Sequence, residues 1–203
     1  MPHFSRRSLL RATASIATGL VMPALGTAKA AAGSTFDNPP LFETARHQFQ
    51  LFQPAALMPV IQLSGIDHRP IDLAPSPGKV TLVTFWATWC KACRGDLPRF
   101  DQLQAANRKG LNVVAVSVDK DRKADLASYL MSLGVRHLAI YRDPFGHSAH
   151  DTTEHGPDVP FTLYDMPITY LVTSSGKIAG FMPGSSDWMS EAGLQLLAYY
   201  ARA

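Results

Sequence analysis

The sequence predicts an α/β domain, a mixed sheet flanked by helices, and three observations carry that prediction. Val80–Ala87 and Asn112–Val118 are nearly continuous apolar, β-branched runs, the pattern of strands buried on both faces. Between and after them lie stretches of helical period, closed by Gly110 and Gly134. Near the carboxy terminus, Ile168–Thr173 and Lys177–Phe181 flank Ser174-Ser175-Gly176, the pattern of a hairpin. Strands that alternate with helices build an α/β sheet, and 203 residues at 46% hydrophobic content are enough for one packed core.

The elements follow in chain order. Residues 1–30 form an address rather than part of the fold. Ser5-Arg6-Arg7-Ser8-Leu9-Leu10-Arg11 precedes a mild apolar run from Ala12 to Gly26, the pattern of a twin-arginine signal. At about 15 residues the run is shorter than the roughly 20 that span a bilayer, so no stable membrane span is expected. Ala28-Lys29-Ala30 supplies small residues for cleavage, placing the mature start near Ala31. Residues 31–57 are expected as an amino-terminal extension packed on the domain, and residues 58–203 as the domain itself. In the extension Phe42, Ala45, Phe49 and Phe52 recur at spacings of three, four and three, which predicts a helix over Leu41–Gln53.

Val60–Leu63 and Pro70–Leu73 flank Gly65-Ile66-Asp67-His68 and predict a hairpin lying before the main sheet. A buried strand follows at Val80–Ala87, then a helix over Lys91–Lys109 with Leu97, Phe100 and Leu103 inward and Pro98 inside it. After the strand Asn112–Val118 come a helix over Arg122–Leu133 and a short strand at His137–Tyr141. Arg142–Met166 is rich in His, Asp and Pro and is expected to be a loop with a helical turn or two. The carboxy-terminal hairpin and a closing helix over Trp188–Ala201 complete the chain.

Charge argues against nucleic acid as a partner. The full chain carries +3, but loss of residues 1–30 removes Arg6, Arg7, Arg11 and Lys29 and no acid, leaving 15 basic residues against 16 acidic. Export would bring the chain into an oxidising periplasm, where cysteines pair. Its only two cysteines are Cys90 and Cys93. A bridge over so small a loop restricts little unfolded-chain entropy, so the pair makes better sense as a reactive couple than as a structural staple.

The position of the pair gives it chemistry. A thiol attacks as thiolate, and the free N–H groups at a helix amino end favour negative charge. Cys90 opens the helix after the buried strand and is expected to be the exposed nucleophile, with Lys91 adding to the effect. Cys93, one turn further in, is expected to be buried and to resolve the mixed disulfide. Trp89 beside Cys90 is expected to shield the site and contact substrate.

From Gly78-Lys79 through Phe85-Trp86-Ala87-Thr88-Trp89-Cys90-Lys91-Ala92-Cys93 to Leu97-Pro98 the chain resembles the thioredoxin superfamily, in particular its exported TlpA/ResA-like branch. The resemblance extends over residues 58–201 and implies a thioredoxin-like fold and thiol:disulfide exchange. It further implies reduction of client-protein disulfides in cytochrome or copper-protein maturation, with a membrane thiol as electron donor and no cofactor or metal. Met166-Pro167-Ile168-Thr169-Tyr170 is similar to the superfamily's cis-proline loop, so Pro167 is expected to face the cysteines and offer a backbone edge to substrate. Gly184 through Trp188 resembles the branch's carboxy-terminal signature.

Asp96 lies three residues after Cys93 on the same helix face, where the branch usually has Glu, and is expected to accept the proton of Cys93. Thr84 stands where ordinary thioredoxins carry a buried Asp. Ala92 departs from the proline of many relatives. Peroxidase activity finds little support, because the proline- and threonine-containing context of that related family's cysteine is absent.

A second reading belongs to a different class. His147, His150, Asp151, Glu154 and His155 would share one face of a helix, and imidazoles with carboxylates suit a transition metal. Thioredoxin-like copper-binding metallochaperones combine paired cysteines with a later histidine, although usually with three residues between the cysteines rather than two.

Overall fold

The computed structural model describes residues 38–106, 109–121, 125–151 and 159–202. The signal read in residues 1–30 lies outside them, as do Glu154 and His155.

An eight-stranded mixed sheet organises the described residues. Its strands are β1 (Gln50–Leu57), β2 (Ile61–Gly65), β3 (Pro70–Leu73), β4 (Val80–Trp86), β5 (Leu111–Ser117), β6 (Ala139–Arg142), β9 (Ile168–Val172) and β10 (Lys177–Pro183). They lie in the order β1-β10-β9-β4-β5-β6-β2-β3. The central strands β4, β5 and β6 are parallel, and the flanking pairs are antiparallel. Parallel neighbours need crossovers, supplied by α1 (Cys93–Ala105) and α2 (Leu126–Ser132); α3 (Glu191–Tyr200) closes the chain.

Every residue of β4 is buried, and alternation divides it between two cores. Leu82 and Trp86 join residues of all three helices, including Leu97, Phe100, Leu130 and Leu196. Val83 and Phe85 face the other way, into a cluster with Val114, Ile168, Tyr170 and Phe161.

The amino-terminal segment departs from the expected helix. Phe42 and Phe49 are both buried, but a turn brings them together. The Thr44 hydroxyl accepts the N–H groups of Arg46 and His47, and Phe49 N–H donates to the Phe42 carbonyl at 2.8 Å. Both rings then meet Trp188, at centroid distances of 4.8 and 6.3 Å. Burying a phenylalanine contributes about 1.5–3 kcal/mol, so the apolar spacing is satisfied without a helix. Residues 50–57 continue as edge strand β1 against β10, and the register shift between Leu51 and Ala56 accommodates Pro54, which has no N–H to give the ladder.

Two further expectations change. The hairpin β2–β3 does not precede the sheet but extends it, because Ser64 and Gly65 of β2 pair with β6. The segment expected as a loop with helical turns contains two short parallel strands, β7 (Ala149–Asp151) and β8 (Phe161–Leu163). The Asp143 carboxylate gathers the N–H groups of His147 and Ser148 and the Ser148 hydroxyl, which closes a turn ahead of β7. Phe161 packs on Phe85 and Tyr170, and the Tyr170 hydroxyl donates to the Thr162 carbonyl while accepting its N–H.

Candidate active site

The buried run of β4 ends beside β5 with Trp86 opposite Ser117, so the chain leaving each strand emerges at the same edge. There Thr88 donates its N–H and its hydroxyl to the Asp119 carboxylate, at 3.0 and 2.6 Å, and Ser117 donates to the same group at 2.8 Å. This three-way bond anchors the loop that carries the cysteines. Asp119 carried no signal of its own in the sequence; its role follows from two parallel strands ending in register.

Trp89 then turns outward, 68% exposed, while Cys90 is 6% exposed and Cys93 not at all. The two sulfurs form a disulfide, with Cα atoms 5.3 Å apart. The order of exposure is the one expected, but Cys90 is mostly covered in this oxidised form, because its bond to Cys93 turns the sulfur toward the start of α1. There Cys93 N–H donates to Cys90 Sγ at 3.1 Å. Ala92, at the N-cap, has no side chain to accept such a bond, so the sulfur satisfies one of the orphan N–H groups of the helix. The same geometry would favour a thiolate at Cys90.

Asp96 is buried, with 4% of its surface exposed, and this excludes a solvated position on the helix surface. Burial pushes its carboxyl pKa above the ordinary value. A hydrogen bond with the Ser185 side chain and the Arg99 guanidinium, 3.8 Å away, pull it partly back. Asp96 lines one narrow gap with Cys93, Thr84 and Pro167, and that gap has no room for a water. Thr84 accepts a hydrogen bond from Thr169 across the β4–β9 ladder at 3.1 Å. Pro167 is buried at the head of β9, and the Met166–Pro167 peptide is cis. Ser185 belongs to the segment after β10, where Gly184 adopts φ +67° and the His47 ring lies where a Cβ would sit. Sequence spacing could not pair Ser185 with Asp96, since nearly ninety residues separate them.

On the other side of Trp89 lies an open groove of about 500 Å3, whose walls include Phe145, His150, Tyr164 and Met166. Phe145 and Tyr164 are large exposed rings that the sequence did not single out. The candidate metal stripe does not keep its helical alignment: His150 and Asp151 sit in strand β7, and His147 stacks on Phe145. Glu154 and His155 lie outside the described residues. Among the described residues no three His, Cys, Asp or Glu side chains gather as a metal site.

The chain is similar to known proteins in sequence and in fold. It is 30% identical over 121 residues to the thiol-disulfide oxidoreductase ResA of Oceanobacillus iheyensis, covering 59% of this chain and 57% of that protein. It is 36% identical over 101 residues to the thiol:disulfide interchange protein CycY of Rhizobium leguminosarum bv. viciae, covering 50% and 48%. The matches thus span about half the length of these two relatives. Among solved structures, a Chlorobium tepidum protein assigned as the thiol:disulfide interchange protein DsbE superposes with a TM-score of 0.57 at 28% identity. That superposition covers 72% of this chain and 96% of the other. The AhpC/TSA family model matches residues 54–180, more than half of the sequence, so the chain belongs to the AhpC/TSA family, thioredoxin-like in fold, beside relatives named as thiol:disulfide oxidoreductases of the ResA-like branch.

Proposed function

We propose that this chain is a thiol:disulfide oxidoreductase that is exported to the periplasm by the twin-arginine route and reduces disulfides of client proteins. The single observation that carries the reading is the Cys90–Cys93 disulfide at the start of α1, with Cys93 N–H donated to the Cys90 sulfur. In the reduced protein Cys90 attacks a client disulfide as thiolate and forms a mixed disulfide, releasing one client thiolate. Cys93 loses its proton to Asp96 and attacks Cys90 Sγ, which closes the bond seen here and releases the second client thiolate. A membrane thiol donor then reduces the Cys90–Cys93 bond by a second exchange, two of its thiols becoming a disulfide as the pair regains two electrons and two protons. Trp89 contacts the client from the groove, and Pro167 offers the adjoining backbone edge.

The direction follows the resemblance to the TlpA/ResA-like branch, and it is set by how far the reduced pair is stabilised as thiolate relative to the disulfide. Clients in cytochrome or copper-protein maturation fit this role, since their cysteines must be reduced before they take up haem or copper. Equilibration of the Cys90/Cys93 couple with a redox buffer tests the direction. A potential below about −200 mV is expected, in the range of reducing dithiols, and a value near about −120 mV would make the protein an oxidant and overturn it.

A further inference from the structure

The amino-terminal turn does more than cover the core. Phe42 and Phe49 fasten it to Trp188, Glu43 and Gln48 bridge its stem, and Thr44 N–H donates to the His47 carbonyl at 2.7 Å. The Thr44 hydroxyl accepts the N–H groups of Arg46 and His47 at 3.3 and 3.0 Å, and the His47 ring lies against Gly184. A turn held at so many points has a fixed tip, and that tip presents the exposed side chain of Arg46. Arg46 and His47 line a cleft of about 370 Å3 together with Ala92, the residue before Cys93. Asp165 and Met166, just ahead of the cis Pro167, line both this cleft and the groove of about 500 Å3 beside Trp89. The two openings are therefore arms of one trough: one reaches Trp89, the neighbour of Cys90, and the other reaches Ala92, the neighbour of Cys93.

The arms differ in chemistry. The groove arm holds the exposed rings of Phe145 and Tyr164, with Asp151 and Lys120 as its exposed charges. Asp165, at the junction, turns one carboxylate oxygen to the Met166 N–H at 2.7 Å. The arm beside Ala92 ends on the Arg46 guanidinium. We propose that Arg46 is a specificity-determining residue that reads an acidic side chain in the client segment lying across the disulfide, while the rings of the other arm receive apolar residues on the far side of the client's cysteine. This rests on Cys90 exchanging with a client disulfide. A client segment that brings its cysteine to Cys90 in extended form sends its two flanks into the two arms, and a guanidinium pairs with a carboxylate through two parallel hydrogen bonds. An exposed pair of this kind contributes little energy, yet it ranks clients whose disulfides are otherwise alike and favours their encounter. A small disulfide reaches neither end of the trough, so the preference belongs to polypeptides.

The test uses the full chain in its reduced form and synthetic peptides whose single cysteine is joined to 2-mercaptoethanol. One glutamate takes each of the three positions before and after the cysteine in turn, with glutamine elsewhere, and stopped-flow Trp fluorescence gives the second-order rate constant. Glutamate on one side of the cysteine is expected to raise that constant about fivefold over the all-glutamine peptide, and about 1 M salt is expected to remove the gain. Arg46→Ser is expected to abolish the gain, and Arg46→Glu to transfer it to a peptide with lysine at the same position. Both variants keep the backbone N–H that binds Thr44, and both are expected to reduce bis(2-hydroxyethyl) disulfide at the unsubstituted rate. A gain that persists in Arg46→Ser, or no gain at any position, overturns the role of Arg46 and leaves the oxidoreductase reading standing. If the unsubstituted protein reduces neither the all-glutamine peptide nor bis(2-hydroxyethyl) disulfide, that reading fails and the role of Arg46 fails with it.

Discussion

Cys90 and Cys93 belong to one disulfide, yet the two sides of that bond are built to opposite designs. On the Cys90 side Trp89 stands in solvent at the rim of a groove of about 500 Å3, with Phe145 and Tyr164 exposed along it. On the Cys93 side Asp96, Thr84 and Pro167 line a narrow gap with Cys93 that has no space for a water. An open groove rimmed by aromatic rings can receive a polypeptide, because exposed aromatic rings gain by being covered. A dry pocket with one carboxyl can do something the groove cannot: it raises the carboxyl's proton affinity toward that of a thiol. Under the proposed mechanism, contact with a client and management of the proton would fall to separate faces of the same pair.

The largest expected effect comes from breaking the pair itself. Cys93→Ser should retain attack and accumulate mixed disulfides with client proteins, whereas Cys90→Ser should form none, as seen on non-reducing gels. Equal trapping by both variants would erase the distinction between the two sides.

Next comes the dry face. Asp96→Asn should slow resolution on the order of 10²-fold and leave attack by Cys90 nearly unchanged, because only the proton acceptor beside Cys93 is lost. The same variant has a predictable effect on stability. Burial raises the folded-state pKa of Asp96 above its ordinary 3.8, so the folded protein binds this proton more tightly than the unfolded chain does. Stability associated with Asp96 is therefore present below pH 3.8 and is lost as pH rises through the folded pKa. Urea unfolding should show Asp96→Asn gaining on the unsubstituted protein as pH rises from 3.8 toward neutrality, then keeping a constant lead. A lead that shrinks with pH would mean that the carboxylate is stabilised rather than strained.

The open face gives the smallest effect. Trp89→Ala should raise KM for a peptide disulfide by about fivefold, the loss of an anchor worth roughly 1 kcal/mol. It should leave reduction of a small disulfide unchanged, and unfolding free energy within about 0.5 kcal/mol, because so exposed a ring supports little of the core. Equal loss on large and small disulfides would move Trp89 from client contact to the reaction itself.

How much of this was legible along the chain depended on whether a segment was constrained locally. Val80–Trp86 is apolar throughout and can only be a strand buried on both faces, and from it follow the helix behind it and the place of both cysteines. Asp96 was legible by the same logic, since three residues along a helix return to the same face. Where spacing admitted two structures, the sequence was less decisive. Phe42 and Phe49 suit a helix, but they equally suit a turn whose ends both reach Trp188, and the turn is what forms. In the histidine-rich segment the short strands β7 and β8 depend on Phe161 packing against Phe85 and Tyr170, partners far away in the chain.

The sequence by itself therefore determined the α/β class, the central strand, and a reactive pair at a helix amino end, because each is set by residues within one or two turns or strands of one another. The tertiary structure alone decided the rest: Asp119 bonded to Thr88, Asp96 brought into one gap with Thr84 and Pro167, and a dry face opposed to an open one. Those contacts join residues from separate strands and loops, and local periodicity carries no information about which ends of the sheet will meet.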